Sequence, residues 1–159
     1  MSRDFFVSPF GPRIEVDSDG VWLVDGEPVV HPTVLEELVK RLDRRADGTY
    51  VIRAGRGELP IHVAGAPFVV RTLALGRGPD GRIAAIRGLL SDGSEETVAP
   101  SSVRRVGGAG DGERLACAVK EGRFEARLSR FATYQLLAAA EPAPDGRARL
   151  DLVSGPVVF

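Results

Sequence analysis

Arg130 and Tyr134 stand four residues apart in a stretch with helical spacing, so a guanidinium and a phenol fall on one face. Such a pair can hold an anionic or planar ligand through charge-assisted hydrogen bonds and stacking. The same pair serves equally well as packing, with the arginine lying along the ring. Arginine supplies most of the basic charge: of 21 basic residues only Lys40 and Lys120 are lysine. Its planar, five-donor group suits carboxylate and phosphate, although a GC-rich coding sequence produces the same bias without any ligand. Basic and acidic residues are mixed along the chain and the net charge is −1. A protein that reads nucleic acid by sequence usually concentrates a basic excess on one face, and none is expected here.

Several other residues invite a chemical reading. Gly76-Arg77-Gly78-Pro79-Asp80-Gly81 matches G-x-G-x-x-G, but a dinucleotide site needs a helix to follow and present its amides to the pyrophosphate. Pro-Asp-Gly sets up a tight turn, and Gly88 weakens a helix, so a hairpin loop is expected. Gly107-Gly108-Ala109-Gly110-Asp111-Gly112 lacks the Gly-Lys-Ser/Thr of a phosphate loop and reads as a hairpin connection. His31 and His62 are the only histidines, and neither has a second ligand at zinc spacing. Cys117 alternates with Leu115 and Val119 as a buried strand position would; being single, it makes no intrachain disulfide. Asp92-Gly93 and Glu95-Glu96 read as a solvated hairpin tip. No Gly-x-Ser-x-Gly elbow, His-Glu-x-x-His or kinase set is present. No catalytic residue, metal ligand or cofactor is assigned.

The elements that carry these residues follow from turn chemistry and periodicity. Residues 13–16 and 21–24 form a hairpin about Asp17-Ser18-Asp19-Gly20, and Asp25-Gly26 makes a second turn. Thr33-Val34-Leu35-Glu36 reads as a capping box opening a helix, with Val34, Leu35, Leu38, Val39 and Leu42 on one face and Asp47-Gly48 at its end. Strands are predicted at 50–53, 60–63, 68–75, 82–90, 96–98 and 103–105. A hairpin about Glu121-Gly122 joins 114–120 to 123–128, Ser129 caps a helix over 130–140, and strands at 147–153 and 157–159 close the chain.

Turns repeat in order. Gly26, Asp47-Gly48 and Gly55 flank a helix in the first half, as Gly122, Asp145-Gly146 and Gly155 do in the second. The economical reading is an α+β chain of two similar hairpin–helix–strand units with mainly antiparallel sheets, an N-terminal unit at 1–75 and a C-terminal unit at 76–159. A chain of 159 residues buries roughly 70% of its unfolded surface and needs no staple. The first ten residues lack the pattern of a signal peptide and no run approaches ~20 apolar residues, so a soluble, cytoplasmic protein is expected.

A family resemblance adds to this. Asp19-Gly20-x-Trp22-x3-Gly26-x-Pro28, then the helix, Asp47-Gly48-x-Tyr50 and Ala66-Pro67-Phe68 resemble the bacterial family called domain of unknown function 1285. Glu121-Gly122-Arg123-Phe124-Glu125-Ala126-Arg127-Leu128, with Arg130-x3-Tyr134, is similar to that family's second hairpin and helix, and Ser154-Gly155 with Phe159 to its closing segment. The resemblance implies a duplicated core, a second half like a pleckstrin-homology fold, and a pocket between the halves for a nucleotide-like ligand in a signalling role. The positions it carries over as ligand-binding are Trp22, His31, Phe68, Arg130, Tyr134 and Ser154. Two departures stand out. His31 replaces a frequent arginine, and Arg53-Ala54-Gly55-Arg56-Gly57 stands where the family has Thr-Pro and then Glu.

The leading expectation is therefore a non-enzymatic, ligand-sensing module for a small anionic molecule. The alternative is a protein–protein interaction domain that accepts a partner strand at a sheet edge. The third is a hydrolase with scattered acids around His31.

Overall fold

Short strands joined by glycine turns dominate the computed structural model, which describes residues 11–107 and 114–159. The N-terminal decapeptide and most of the Gly107–112 connection lie outside those residues. Contacts divide the chain into two units, meeting in sequence at Pro67 and Phe68. The fold class is α+β, with two α-helices and mainly antiparallel sheets among the described residues.

In the first unit, β1 (Ile14–Val16) and β2 (Trp22–Val24) pair antiparallel. The Asp17 carboxylate closes their turn by accepting from the amides of Asp19 and Val21. β3 (Glu27–Pro28) follows through Asp25 and Gly26, both left-handed (φ 50° and 85°), as a two-residue hairpin turn of this type demands. β7 (His62–Val63) completes the sheet by running parallel to β1. Helix α1 (Pro32–Lys40) is followed by a meander of β4 (Leu42–Arg44), β5 (Tyr50–Ala54) and β6 (Gly57–Pro60).

Three expectations for this unit are corrected. The helix begins two residues early: Pro32 fits the first helical position, where its missing N–H costs nothing, so His31 becomes the cap in place of Thr33 and its Nδ1 accepts from the Thr33 amide at 3.2 Å. The Thr33–Glu36 capping box does not form. The helix also ends at Lys40 rather than running to Asp47-Gly48. α1 buries no residue, so packing does not extend it, whereas Leu42 is buried as a strand residue opposite Ile52. Asp47-Gly48 is instead the hairpin turn between β4 and β5. Finally, the single strand at 60–63 is two: Gly57–Pro60 pairs with β5 and His62–Val63 with β1.

The second unit is built on β8 (Phe68–Arg77) and β9 (Ile83–Leu90), which pair antiparallel with a bulge after Val70. The Gly76–Gly81 stretch is their hairpin loop, as expected: Gly78 N–H donates to Arg82 O and Gly81 N–H to Gly78 O. Gly88 is required for space. A Cβ there would lie 3.1 Å from Val70 and 3.3 Å from Val98 side chains. The remaining elements are β10 (Glu95–Thr97), β11 (Arg104–Val106), β12 (Arg114–Val119), β13 (Phe124–Leu128), helix α2 (Arg130–Ala138), β14 (Glu141–Pro142), β15 (Ala148–Leu152) and β16 (Gly155–Val158). They form one nine-stranded sheet in which β13 runs parallel to β8 and β15 parallel to β9. Phe124, Ala126 and Leu128 are buried and alternate with half-buried Glu125 and Arg127, the period of a strand with one core face.

α2 is fixed on that sheet by specific bonds. Ser129 caps it by accepting from the Ala132 amide. Gln135, the sixth residue of α2, reads the β8 backbone: its Oε1 accepts from Leu73 N–H and its Nε2 donates to Leu73 O. Ala132 and Leu136 are the buried residues of the helix.

Candidate functional site

The positions carried over by the resemblance fall into different settings. In the first unit, Trp22 is 2% exposed, and its Nε1 has no hydrogen-bond partner among the described residues. His31 is exposed and committed to the helix cap. In the second unit, Phe68 is fully buried, its ring tilted against Phe124 at 5.8 Å with the Lys120 ammonium 5.2 Å from its centroid. Arg130 and Tyr134 both face solvent from α2. Ser154 is exposed in the turn between β15 and β16.

A cleft of about 260 Å³ opens on the second unit, lined by Arg77, Asp80, Gly81, Arg82, Ile83, Ala139, Glu141 and Asp151. Arg77, the last residue of β8, and Arg82 of the β8–β9 loop are its arginines. Asp80 accepts from the Arg82 amide at 3.0 Å, which tightens the loop, while its second oxygen stands 3.6 Å from Arg82 Nε. Arg77 Nη1 donates to Gly81 O at 2.9 Å. The C-terminal end of α2 and β14 close the other side. The lining therefore offers guanidinium donors and carboxylate acceptors within one small concavity. None of the six carried-over residues lines it.

The acidic hairpin tip differs from the solvated loop expected of it. Lys120 Nζ donates to Asp92 Oδ2 and to Ser94 Oγ, each at 2.9 Å, and lies 3.4 Å from Glu96 Oε2. The Lys120 amide also donates to Glu96 Oε1. The Asp92 side chain is only 7% exposed. Burial pushes its carboxyl up, but hydrogen bonds from Ser94 and Lys120 outweigh that and hold it below its ordinary value. This is a satisfied charge cluster under a folded hairpin, and it fixes the β10 and β12 ends to each other.

Arg53, from the stretch that departs from the family pattern, is also committed. It donates to Asp43 Oδ2 and Glu58 Oε2, each at 2.6 Å, across the β4–β5–β6 meander. Arg45 binds the same Glu58. Cys117 is buried, as its alternation predicts; burial, with Glu96 adding to it, pushes the thiol up to about 12. A thiol so held supplies almost no thiolate at neutral pH. The folded protein is expected to resist iodoacetamide at pH 8 and to take up one equivalent on denaturation, read by intact mass. Rapid labelling of the native chain would contradict that placement.

Among the described residues no group of three or more histidine, cysteine, aspartate or glutamate side chains is arranged to hold a metal ion. No helix among them is long and apolar enough to cross a membrane.

Comparison with known proteins agrees with this architecture. A DUF1285 family protein from Silicibacter pomeroyi DSS-3 superposes with a TM-score of 0.74 at 18% identity, over 90% of this chain and 76% of that one. A second, from Shewanella baltica OS155, gives 0.61 at 15% identity, over 80% of this chain and 91% of that one. The chain has the DUF1285 fold. No family model and no curated protein matches it. The expectation drawn from scattered turn and hairpin residues is thus met at the level of architecture.

Proposed function

We propose that this chain is a non-enzymatic sensing module that binds a small, nucleotide-like anion. The observation that carries the reading is the cleft lined by Arg77 and Arg82 together with Asp80, Glu141 and Asp151. Guanidinium groups bind phosphate or carboxylate through paired donors, and carboxylates in the same lining can accept from amino or hydroxyl groups of the same molecule. A nucleotide carries both kinds of group.

The sensing unit is read as a duplication. In the first unit the β2–β3 hairpin leads to α1 and the β4–β5–β6 meander; in the second the β12–β13 hairpin leads to α2 and the β14–β15–β16 meander. Left-handed glycines occupy matching turns, Gly26 and Gly122, Gly48 and Gly146, Gly55 and Gly155. Strand addition by a protein partner has less support. At the ends of the sheet's main run, β11 carries Arg104 and Arg105 and the two-residue β14 carries Pro142, which discourage pairing there, whereas β10 and β16 each pair with one strand among the described residues.

The test is a thermal-shift screen of nucleotides and phosphorylated metabolites, followed by calorimetry on each hit. A ligand at a hundred times its Kd adds about 2.7 kcal/mol to the folded state. The double variant Arg77→Ala/Arg82→Ala is expected to abolish the shift while melting close to the parent, because both side chains lie at an exposed loop. A ligand that binds the double variant unchanged would overturn the assignment to this cleft; no shift with any compound would overturn the sensing reading itself.

A further inference from the structure

We propose, on the reading of this cleft as a nucleotide site, that the base it selects is guanine and that Glu141 does the selecting. The charged residues of the lining divide into committed and uncommitted groups. Asp80 accepts from the Arg82 amide and stands 3.6 Å from Arg82 Nε, so those two charges answer each other. Asp151 lies 3.5 Å from Arg149 Nη2. Arg149 is also the register partner of Glu141 on β15, but its ion pair goes to Asp151. Arg77 donates to the neutral Gly81 carbonyl. Among the described residues, Arg77 and Glu141 are therefore the cation and the anion of the lining that lack an ion pair.

A guanidinium and a carboxylate that share one concavity without pairing suit a ligand with an anion at one end and hydrogen-bond donors at the other. A bare phosphate does not fit. The lining holds three carboxylates against two guanidiniums, so an ion that brings negative charge alone is repelled on balance. Ile83, 1% exposed, and Ala139 are the apolar part of the lining, against which a ring can lie. The volume of about 260 Å³ is small for a ligand pocket and suits a mononucleotide rather than a dinucleotide.

The pattern of donors decides the base. An ionised carboxylate only accepts, and its two oxygens are best met by two N–H groups side by side. Guanine presents its N1–H next to its N2 amino group. Adenine sets the acceptor N1 beside its N6 amino group, and cytosine sets N3 beside its N4 amino group. Each of these gives a carboxylate one hydrogen bond and one lone-pair repulsion. Uracil offers a single N–H between two carbonyls. Ribose hydroxyls are common to all nucleotides and confer no choice of base. With phosphate held by Arg77, a carboxylate that lacks an ion pair thus favours guanine.

Calorimetric titration of the whole chain with GMP, IMP, AMP and inorganic phosphate tests this. GMP is expected to bind about tenfold tighter than AMP or better, the discrimination of one good bidentate contact. IMP, which keeps N1–H but lacks the amino group, should fall between them, and phosphate should give no measurable heat. Glu141→Ala should weaken GMP to the level of AMP and leave AMP unchanged, with an unaltered circular dichroism spectrum because Glu141 is exposed. Arg77→Ala should weaken both nucleotides alike. Affinity for AMP equal to or above that for GMP overturns the choice of guanine, as does a guanine preference that survives Glu141→Ala; in either case the cleft still stands as a nucleotide site if Arg77→Ala weakens both ligands. No heat with any nucleotide, or binding that Arg77→Ala leaves untouched, overturns the nucleotide reading of the cleft and the choice of guanine together.

Discussion

Trp22→Ala is expected to lower the free energy of unfolding by about 3–5 kcal/mol, the range for deleting a buried aromatic side chain. Trp22 is 2% exposed and sits on β2 opposite Val16, which is fully buried. Trp22→Phe should behave differently. The indole Nε1 is buried without a partner among the described residues, and a buried unpaired donor costs on the order of 1–3 kcal/mol. Phenylalanine removes that cost along with part of the volume, so a net change within about 1.5 kcal/mol is expected. Urea unfolding followed by far-ultraviolet circular dichroism measures both, since Trp22 is the sole tryptophan and its fluorescence vanishes in each variant. A loss of under about 1 kcal/mol for alanine would show that the side chain is not part of the core. The family resemblance places Trp22 among ligand-binding positions; its burial gives it a packing role whatever else it does.

How far the sequence disclosed all this depends on the range over which each signal acts. Turns were legible because their chemistry is local: Asp25-Gly26 adopts the left-handed conformations its residue types favour, and Gly122 takes up the same region in the second hairpin. The α2 cap at Ser129 was legible for the same reason. The α1 start was misplaced because two local rules competed, and the fixed φ of Pro32 prevailed over the Thr33–Glu36 pair. Its end was misplaced because Leu42 fits a helical period and a strand equally well, and pairing with Ile52 decides between them. Site features were least legible. Asp92 and Lys120 are 28 positions apart, and nothing near either residue announces the other. Arg82 and Glu141 line one cleft from distant parts of the chain. Arg130 and Tyr134, by contrast, share a helix face by spacing alone, and that face does reach solvent.

Removing the Lys120 ammonium is expected to cost about 2–4 kcal/mol, somewhat below the range for breaking a fully buried pair, because the lysine side chain is 21% exposed. Lys120→Met keeps an unbranched apolar side chain but removes the ammonium from Phe68 and leaves the Asp92 carboxylate, 7% exposed, without its cation. The pH dependence has a definite sign. Asp92 titrates below its ordinary value of 3.8 in the folded protein. A carboxyl depressed by folding contributes stability that is complete above its unfolded pKa and disappears as pH falls through the folded one. Stability should therefore drop as the pH is lowered below about 4, and Asp92→Asn should flatten that part of the profile. Lys120 also holds a left-handed conformation, φ 55°, unusual for a side chain with a Cβ. Lys120→Gly relieves that strain while losing the ammonium, so it should be less damaging than Lys120→Met. If the two variants lose equal stability, the backbone conformation costs little and the charge cluster alone accounts for the effect; if neither loses any, Lys120 does not secure this hairpin.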